Sequence, residues 1–266
     1  MNTEKLFRDL TEIRTKNPLV HNITNHVVMN TTANMLLALG ASPVMAHAKE
    51  EAAEMTRLAG ALVLNIGTLS PQWVESMELS LKTARDFGIP VVLDPVGAGA
   101  TSYRTKTVHE LLMAGGVTVL RGNASEILAL TPAGGQTKGV DSTDDAGRAT
   151  DAIRELAVQH NIVVSVSGKT DHIISSGHHI RVHNGTAMMA RITGMGCTAS
   201  AFTGAFCAVN KDPLLAAAHA MILFGIAGEM AEAESKGPGS LQVALLDNLP
   251  NLEHETIAKM VKVDGL

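Results

Sequence analysis

The feature that most constrains the fold is a series of short apolar runs separated by segments of helical length. The runs are Ala61–Ile66, Pro90–Asp94, Val117–Arg121 and Ile162–Ser167. Strands that are buried on both faces of a parallel sheet have this nearly continuous apolar pattern. The helical segments associated with them are Glu50–Ala59, Pro71–Phe87, Thr105–Ala114 and Thr143–Gln159. The alternation predicts right-handed crossovers and an α/β fold, a three-layer α/β/α sandwich around a mostly parallel central sheet.

The pattern changes after Ser167. Two further short runs, Ile173–Ser175 and His178–His183, flank the turn residues Ser176 and Gly177, which predicts an antiparallel β-hairpin. The remaining predicted helices are Thr198–Ala208, Pro213–Glu234, Ser240–Leu249 and Leu252–Val261. Because the sequence contains neither a low-complexity linker nor an internal repeat, we expect residues 1–266 to form a single domain.

Composition narrows the class of protein. The 266 residues are 45% hydrophobic, which is enough for a large buried core. A net charge of −5, one Trp and one Tyr argue against a nucleic-acid surface, which combines basic stripes with stacking aromatics. Cys197 and Cys207 lie in one predicted helix, where they are badly placed to form a disulfide. This cysteine usage indicates a reducing, cytoplasmic location.

Two segments were considered as targeting or membrane elements. Residues Met1–Asp9 are charged and lack the apolar core of a signal peptide. The longest apolar run, Leu214–Ala227, is interrupted by His219 and is shorter than the ~20 residues that a spanning helix needs. We therefore expect a buried core helix at this run and no membrane association.

The segment Thr193–Ala201 combines two glycines, Gly194 and Gly196, with small residues that open a predicted helix. Helix N-termini attract anions because their first amides have no internal partner, and glycine lets the backbone approach a ligand closely. Cys197 is predicted at the start of this helix, where a thiol pKa is expected to be lowered. Two interpretations are open at this point. One is an anion site for phosphoryl transfer, and the other is a tight turn with a structural cysteine.

Two familiar nucleotide motifs are only apparent. Gly194–Ala199 fits the dinucleotide fingerprint, but it comes late in the chain, follows a poor strand, and has its nearest following acid, Asp212, too close. Gly168-Lys169-Thr170 resembles the end of a P-loop, but Val163 stands where the first glycine is required and the next element is a predicted strand. Neither motif therefore predicts nucleotide binding of its usual kind.

Ligands of open α/β sheets bind beyond the carboxyl ends of the strands, so polar residues in those loops are candidates. Asp94 and Glu126 suit Mg²⁺, which accepts one or two carboxylates and keeps several waters. The alternatives are a turn cap for Asp94 and a solvated helix-start acid for Glu126. Arg121 is a candidate phosphate clamp or else a surface ion pair. Ser167 is a candidate phosphate ligand or else an ordinary turn hydroxyl.

Several segments together resemble a known family. Three segments are similar to those of the ribokinase-like superfamily: Gly194–Cys197, Asn123–Glu126 and Asp94–Ala98. Three more narrow the resemblance to the hydroxyethylthiazole kinase family over essentially the whole chain: Pro18–Val28, Gly40–Met45 and Leu93–Ala100. The resemblance implies a ribokinase-like fold and an ATP- and Mg²⁺-dependent phosphorylation. The implied acceptor is the primary alcohol of 4-methyl-5-(2-hydroxyethyl)thiazole, in thiamine biosynthesis and salvage.

The resemblance also implies roles for particular residues. Gly194, Gly196 and Cys197 would form the catalytic anion hole, with Cys197 assisting deprotonation of the alcohol. The remaining implied sites are Asn25, Met45 and the Gly194 backbone for the thiazole, Arg121 and Ser167 for the nucleotide, and Asp94 and Glu126 for the metal. Similar proteins are homotrimers whose thiazole sites lie between subunits, which would account for Asn25 and Met45 being far in sequence from the anion hole.

One position departs from the wider superfamily. Most ribokinase-like enzymes carry an aspartate as general base where this chain has Cys197. Since phosphoryl transfer depends mainly on positioning and charge neutralisation, we expect Cys197 to help without being indispensable. Two rival functions are considered. One is a kinase of the same superfamily that acts on another small alcohol such as hydroxymethylpyrimidine, and the other is a non-catalytic sensor of the thiazole alcohol or nucleotide.

Overall fold

One β-sheet organises the part of the chain that the computed structural model describes, residues 2–132 and 146–265. Its strands are β1 (Leu19–Ile23), β2 (Ser42–Val44), β3 (Ala61–Asn65), β4 (Val91–Asp94), β5 (Val119–Asn123), β6 (Val163–Ser167), β7 (Asp171–Ile174), β8 (His179–Val182) and β9 (Val263–Asp264). They lie in the order β2-β1-β3-β4-β5-β6-β7-β8-β9. The first six are parallel and the last three pair antiparallel. The parallel arrangement of β3 to β6 and the β7–β8 hairpin are as predicted, whereas β9, which follows the predicted helix Leu252–Val261, was not assigned from the sequence.

Helices cover both faces of this sheet. They are α1 (Thr3–Lys16), α2 (Met29–Leu39), α3 (Lys49–Leu58), α4 (Pro71–Phe87), α5 (Ser102–Ala114), α6 (Ala124–Leu128), α7 (Ala146–His160), α8 (Met195–Val209), α9 (Pro213–Glu234), α10 (Pro238–Asn248) and α11 (His254–Met260). Short 3₁₀ helices occupy Ala187–Arg191 and Leu249–Asn251. The three-layer α/β/α architecture predicted from the sequence is confirmed.

Two apolar clusters, one on each face of the sheet, explain the continuous apolar runs. Val63 and Val92 pack into the cluster that contains the buried residues of α8 and α9. Their neighbours Leu62 and Leu93 pack into the opposite cluster, with α4, α5 and α7. Because successive side chains of a strand point to opposite faces, a strand covered on both sides needs apolar residues at almost every position.

Several predicted bounds shift in the structure. Strand β5 continues to Asn123, so Glu126 follows the strand after three residues and lies inside α6. Helix α8 begins at Met195 and makes Cys197 its third residue, because Gly194 supplies the N-cap. Helix α7 matches the segment predicted as Thr143–Gln159 from residue 146 onward, and the start of that predicted segment lies outside the described residues. The elements β1, β2, α1 and α2 were not assigned from the sequence.

Helix α9 is the core helix expected around Leu214–Ala227. Within the described residues it is long and apolar enough to pass a test for a membrane span, but 78% of that window is buried inside the protein. His219 interrupts the apolar run because its Nδ1 lies 2.7 Å from Asp9 Oδ2, which also accepts a 2.6 Å hydrogen bond from Asn210. This buried polar contact joins α9 to α1.

Gly204 lets α8 lie close against the sheet. A methyl group built at Gly204 would lie 2.7 Å from Val63 Cγ2 and 3.4 Å from Val20 Cγ1. We expect Gly204→Val to lower the free energy of unfolding by about 1–3 kcal/mol because this interface is overpacked by the new side chain. Urea unfolding measures the change. Gly147→Val is the matched control, since nothing lies within 4 Å of a methyl group at Gly147. Equal stability of both variants would contradict the close packing of α8.

Candidate active site at the carboxyl edge of the sheet

The parallel strands bring four polar residues to one edge of the sheet. Asn65 and Asp94 are register partners at the ends of β3 and β4. Asn123 and Ser167 are register partners at the ends of β5 and β6. The start of α8 reaches the same edge, where Gly196 accepts a hydrogen bond from Arg121. The carboxyl ends of the strands therefore form one polar surface, as the sequence predicted.

The start of α8 has the geometry of an anion site. Gly194 adopts φ 84°, and a methyl group there would lie 2.6 Å from Val28 Cγ1, so glycine is required both by conformation and by space. Among the residues that the structure describes, no side chain caps this helix end. Its first amides therefore lack the partner that a capping residue usually supplies, and they remain available to an anion.

Arg121 lies beside this helix start. Its Nη1 donates a 2.8 Å hydrogen bond to the Gly196 carbonyl, and a methyl group on Gly196 would lie 3.1 Å from that atom. The side chain is only 5% exposed, which rules out the surface ion pair considered above. Its buried Nε has no hydrogen-bond partner among the described residues. A buried guanidinium with an unused donor is suited to binding an anionic ligand.

Asp94 is the buried carboxylate of the site. Its Oδ2 accepts hydrogen bonds from Asn65 Nδ2 at 2.8 Å and from Ser200 Oγ at 2.7 Å. Burial raises the pKa of the Asp94 carboxyl to about 6, although the nearby Arg121 charge and the Ser200 hydrogen bond act in the opposite direction. The ionised form of Asp94 is therefore unfavourable in the protein without ligands, and a bound cation would stabilise it.

Glu126 ties two loops together. Its Oε1 accepts a 2.9 Å hydrogen bond from the Gly97 amide and its Oε2 a 2.9 Å hydrogen bond from the Asn123 amide. Asn123 Oδ1 in turn accepts from the Glu126 amide at 3.0 Å, which completes a capping box for α6. Glu126 therefore does lie at a helix start, which is one of the two interpretations of the sequence. Its carboxylate, however, is partly buried and hydrogen-bonded to both loops.

The two acids were tested as magnesium ligands. The described residues contain no group of three or more His, Cys, Asp or Glu side chains that would hold a metal by themselves. Mg²⁺ does not need such a group, because it binds through one or two carboxylates together with waters and substrate phosphates. The hydrogen bonds found on Asp94 end on Oδ2, which leaves Oδ1 for a cation. The acids therefore fit a phosphate-bound Mg²⁺.

Cys197 behaves differently from the sequence prediction. Burial and the charge of Asp94 raise the pKa of the Cys197 thiol to about 11, although the hydrogen bond from Asn25 and the nearby Asn65 amide act in the opposite direction. The predicted lowering of this pKa is wrong. A helix N-terminus contributes roughly 0.3–1 kcal/mol, less than one pKa unit, so it does not outweigh burial beside a carboxylate. The thiol is therefore protonated near neutral pH.

Asn25 reaches the site from the loop after β1. Its Nδ2 donates to Cys197 Sγ at 3.3 Å and to Asn65 Oδ1 at 2.9 Å. One chain therefore brings Asn25 to the anion site by itself, and its distance in sequence needs no subunit interface as an explanation. Met45, the other predicted thiazole contact, directly follows β2 on the outer side of β1 and is partly exposed.

Ser167 ends β6, next to the turn that carries Glu126. Its Oγ donates a 3.3 Å hydrogen bond to the Gly122 carbonyl, one residue from Arg121. The sequence is compatible with a phosphate ligand or an ordinary turn hydroxyl at this position. The observed bond satisfies the hydroxyl hydrogen, and the oxygen can still accept from a ligand.

Three side chains that hold this edge of the sheet together are not indicated as such by the sequence. Asn65 and Ser200 bind Asp94, and their signal was a polar residue at a strand end and a hydroxyl one turn after the glycines. Arg104 carried no comparable signal, because an arginine on a helix is usually solvated. In the structure, Arg104 donates to the carbonyls of Ile66 at 2.9 Å, Val96 at 2.6 Å and Gly67 at 2.8 Å.

The fold is similar to that of a known superfamily. A solved ribokinase-like superfamily protein from Enterococcus faecalis superimposes with a TM-score of 0.63 at 15% identity, covering 88% of this chain and 86% of that one. The mostly parallel sheet with helices on both faces is thus the ribokinase-like fold.

Closer relatives define the family. The hydroxyethylthiazole kinase family model matches residues 10–255. A hydroxyethylthiazole kinase from Syntrophus aciditrophicus is 56% identical over 252 residues, 94% of this chain and 93% of that protein. The solved hydroxyethylthiazole kinase of Pyrococcus horikoshii is 46% identical with a TM-score of 0.90 and covers 99% of both chains. The chain belongs to the hydroxyethylthiazole kinase family, and it is a kinase.

The buried Asp94 makes a prediction about stability. Its pKa is about 6 in the folded protein and has an ordinary value of 3.8. The stability it contributes is therefore complete below pH 3.8 and is lost as pH rises through 6. At about 1.4 kcal/mol per pKa unit, we expect Asp94→Asn to raise the free energy of unfolding at pH 8 by up to about 3 kcal/mol. The gain should fall below about 1 kcal/mol at pH 4.

Urea unfolding at both pH values measures this effect. Asp86→Asn, at an exposed carboxylate on α4, is the control and should leave the free energy of unfolding nearly unchanged at both. An Asp94→Asn variant that is less stable than the parent protein at pH 8 would show that the ionised carboxylate stabilises the fold.

Proposed function

We propose that this kinase transfers the γ-phosphoryl group of ATP to the primary alcohol of 4-methyl-5-(2-hydroxyethyl)thiazole, in thiamine biosynthesis and salvage. The observation that carries the proposal is the convergence at the start of α8. There the uncapped helix turn, the buried Arg121 guanidinium, and Cys197 with its Asn25 contact lie together. Membership of the hydroxyethylthiazole kinase family supports the choice of acceptor.

The anion hole is the Gly194–Cys197 turn. Phosphoryl transfer has a loose transition state, so catalysis depends on positioning and on neutralising the charge of the transferred group. The first amides of α8 supply fixed dipoles for this charge, because no capping side chain engages them. Gly194 and Gly196 keep the turn open, since side chains at these positions would meet Val28 and Arg121 respectively.

The nucleotide lies, in this proposal, along the ends of β5 and β6. Arg121 is placed to contact its phosphates, since it lies at the carboxyl edge next to the anion hole. Ser167 would contact a phosphate oxygen by turning its hydroxyl hydrogen away from the Gly122 carbonyl. Asp94 and Glu126 would hold Mg²⁺, directly or through water. When bound, this ion would neutralise charge on the transferred phosphates.

The acceptor lies on the β1 side of the anion hole, against Asn25, Met45 and the Gly194 backbone. Asn25 supports this placement because its amide reaches Cys197 Sγ. With a thiol pKa of about 11, Cys197 is mostly neutral at physiological pH and is a weak base. Its assistance to deprotonation of the alcohol is therefore modest. With a loose transition state the alcohol proton leaves late and passes to an oxygen of the transferred phosphoryl group.

Assembly and location are inferred from the family resemblance. We infer a homotrimer with substrate sites between subunits, in the cytoplasm. Val27 and Leu37 are 64% and 59% exposed and lie on the segment that directly follows Asn25. Exposed apolar side chains beside an acceptor pocket are the kind of surface that a subunit interface covers.

A coupled assay of ADP release tests the function. The protein is supplied with Mg·ATP and, separately, with hydroxyethylthiazole, hydroxymethylpyrimidine and a sugar. We expect ADP release with hydroxyethylthiazole at a kcat/KM at least about 100-fold above that for the other alcohols, because the additional polar groups of the pyrimidine and the sugar would be left without partners in a pocket that fits the thiazole. Preference for hydroxymethylpyrimidine would assign the rival kinase activity, and no release with any alcohol would favour a sensor.

Variants at the anion hole separate its parts. We expect Cys197→Ala to lower kcat about tenfold, below the range of a full general base, because the thiol is neutral. Cys197→Asp should retain turnover, since aspartate occupies this position in most of the superfamily. Gly194→Ala should lower kcat by about 100-fold or more, because it removes the geometry of the anion hole.

Steady-state kinetics measures all three variants, with thermal unfolding to confirm that each is folded. Complete loss of turnover in both Cys197 variants would contradict a modest role for the thiol. A smaller effect of Gly194→Ala than of Cys197→Ala would contradict the anion hole.

A further inference from the structure

Asn65 has every polar atom of its side chain engaged inside the site. It is the last residue of β3 and is 1% exposed. Its Nδ2 donates to Asp94 Oδ2 at 2.8 Å. Its Oδ1 accepts from Asn25 Nδ2 and from the Gly67 amide, each at 2.9 Å. A buried amide with donor and acceptor both occupied has a single satisfied orientation.

That orientation is fixed by its partners. Asp94 offers oxygen acceptors, whereas Asn25 and the Gly67 backbone each present an N–H group. Rotating the Asn65 amide by half a turn would point oxygen at the carboxylate and N–H groups at other N–H groups. Each of these contacts is repulsive, so the amide acts as an adaptor between a carboxylate on one side and donors on the other.

The adaptor lies in the middle of a hydrogen-bonded chain. Cys197 Sγ accepts from Asn25, Asn25 donates to Asn65, and Asn65 donates to Asp94. Asp94 Oδ2 also accepts from Ser200. Since Cys197 and Ser200 are both in α8, the chain closes into a ring through the start of that helix. Hydrogen bonds that share atoms in this way strengthen and orient one another in a buried site.

We propose that Asn65 is a positioning residue that aligns the acceptor side of the site, through Asn25, with the phosphoryl-transfer side, through Asp94. This inference rests on the proposed function, because the two sides are defined by the alcohol and the phosphates. Asn65 itself contacts neither substrate in this arrangement. It sets the Asn25 amide against Cys197, where the alcohol binds, and it sets the carboxylate that faces the metal and phosphates.

Two substitutions separate the hydrogen bond that Asn65 makes to Asp94 from those that it makes to Asn25 and Gly67. Asn65→Asp keeps an oxygen for Asn25 and Gly67 but replaces the amide donor to Asp94 with a second carboxyl group, and the two carboxyls then share one proton, which changes the charge that faces the phosphates. Asn65→Leu has nearly the same shape and removes both sets of bonds. Ser200→Ala is the matched control, because it removes the other donor to Asp94 and leaves the bond from Asn25 intact.

Two measurements report on the two sides. Calorimetric titration with hydroxyethylthiazole, without nucleotide, gives Kd on the acceptor side, and kcat at saturating Mg·ATP reports on phosphoryl transfer. We expect Asn65→Leu to weaken Kd about tenfold and to lower kcat about tenfold. Asn65→Asp and Ser200→Ala should lower kcat by a similar factor and leave Kd within about twofold, since the bond to Asn25 survives.

The pattern across variants decides the outcome. An unchanged Kd in Asn65→Leu would overturn the positioning role, because the bond to Asn25 would then have no effect on acceptor binding. A Kd weakened as much in Asn65→Asp as in Asn65→Leu would also overturn it, because that result indicates a general loosening of the fold. If Asn65→Leu does not fold, Asn65→Ser replaces it, since serine is too short to bridge both partners and should weaken Kd as well. Failure of the unsubstituted protein to bind hydroxyethylthiazole would instead contradict the proposed function.

Discussion

The burial of one carboxylate, Asp94, is the constraint on which the site depends. A charge in a low-dielectric environment is costly unless donors and opposite charge surround it. Asn65, Ser200 and Arg121 provide these partners from β3, α8 and β5. Because Arg121 also binds the Gly196 carbonyl, the same arrangement determines where α8 begins relative to the sheet. The anion hole and the acidic residues are therefore parts of one electrostatic unit.

The fold was predictable wherever local pattern and burial agree. Strands β3 to β6 each begin with consecutive apolar residues because helices cover both of their faces, and the sequence shows this directly. Strand β1 was missed because it contains His21 and Asn22. His21 is buried, yet its ring nitrogens contact Thr56 Oγ1 at 3.0 Å and the Ala46 carbonyl at 2.6 Å. Polar residues that find partners in distant loops do not give a strand pattern.

The sequence predicted the location of the site better than it predicted the interactions within it. Parallel topology alone brings Asp94, Arg121 and Ser167 to one edge, so their proximity followed from the strand assignments. The ionisation of Cys197 did not follow, because it depends on burial and on a carboxylate that is distant in sequence. Likewise, the bond from Asn25 to Cys197 joins residues 172 positions apart, and no local pattern encodes such a contact.

Arg104 has a mechanical consequence for this edge of the sheet. Its guanidinium binds the Ile66 and Gly67 carbonyls after β3 and the Val96 carbonyl after β4. These hydrogen bonds join the two loops and α5 into one rigid unit. A ligand that displaces either loop must move the other loop and the helix with it, or else break partly buried hydrogen bonds to a charged group. Closure around a ligand at this edge is therefore expected as a joint movement of the two loops and α5.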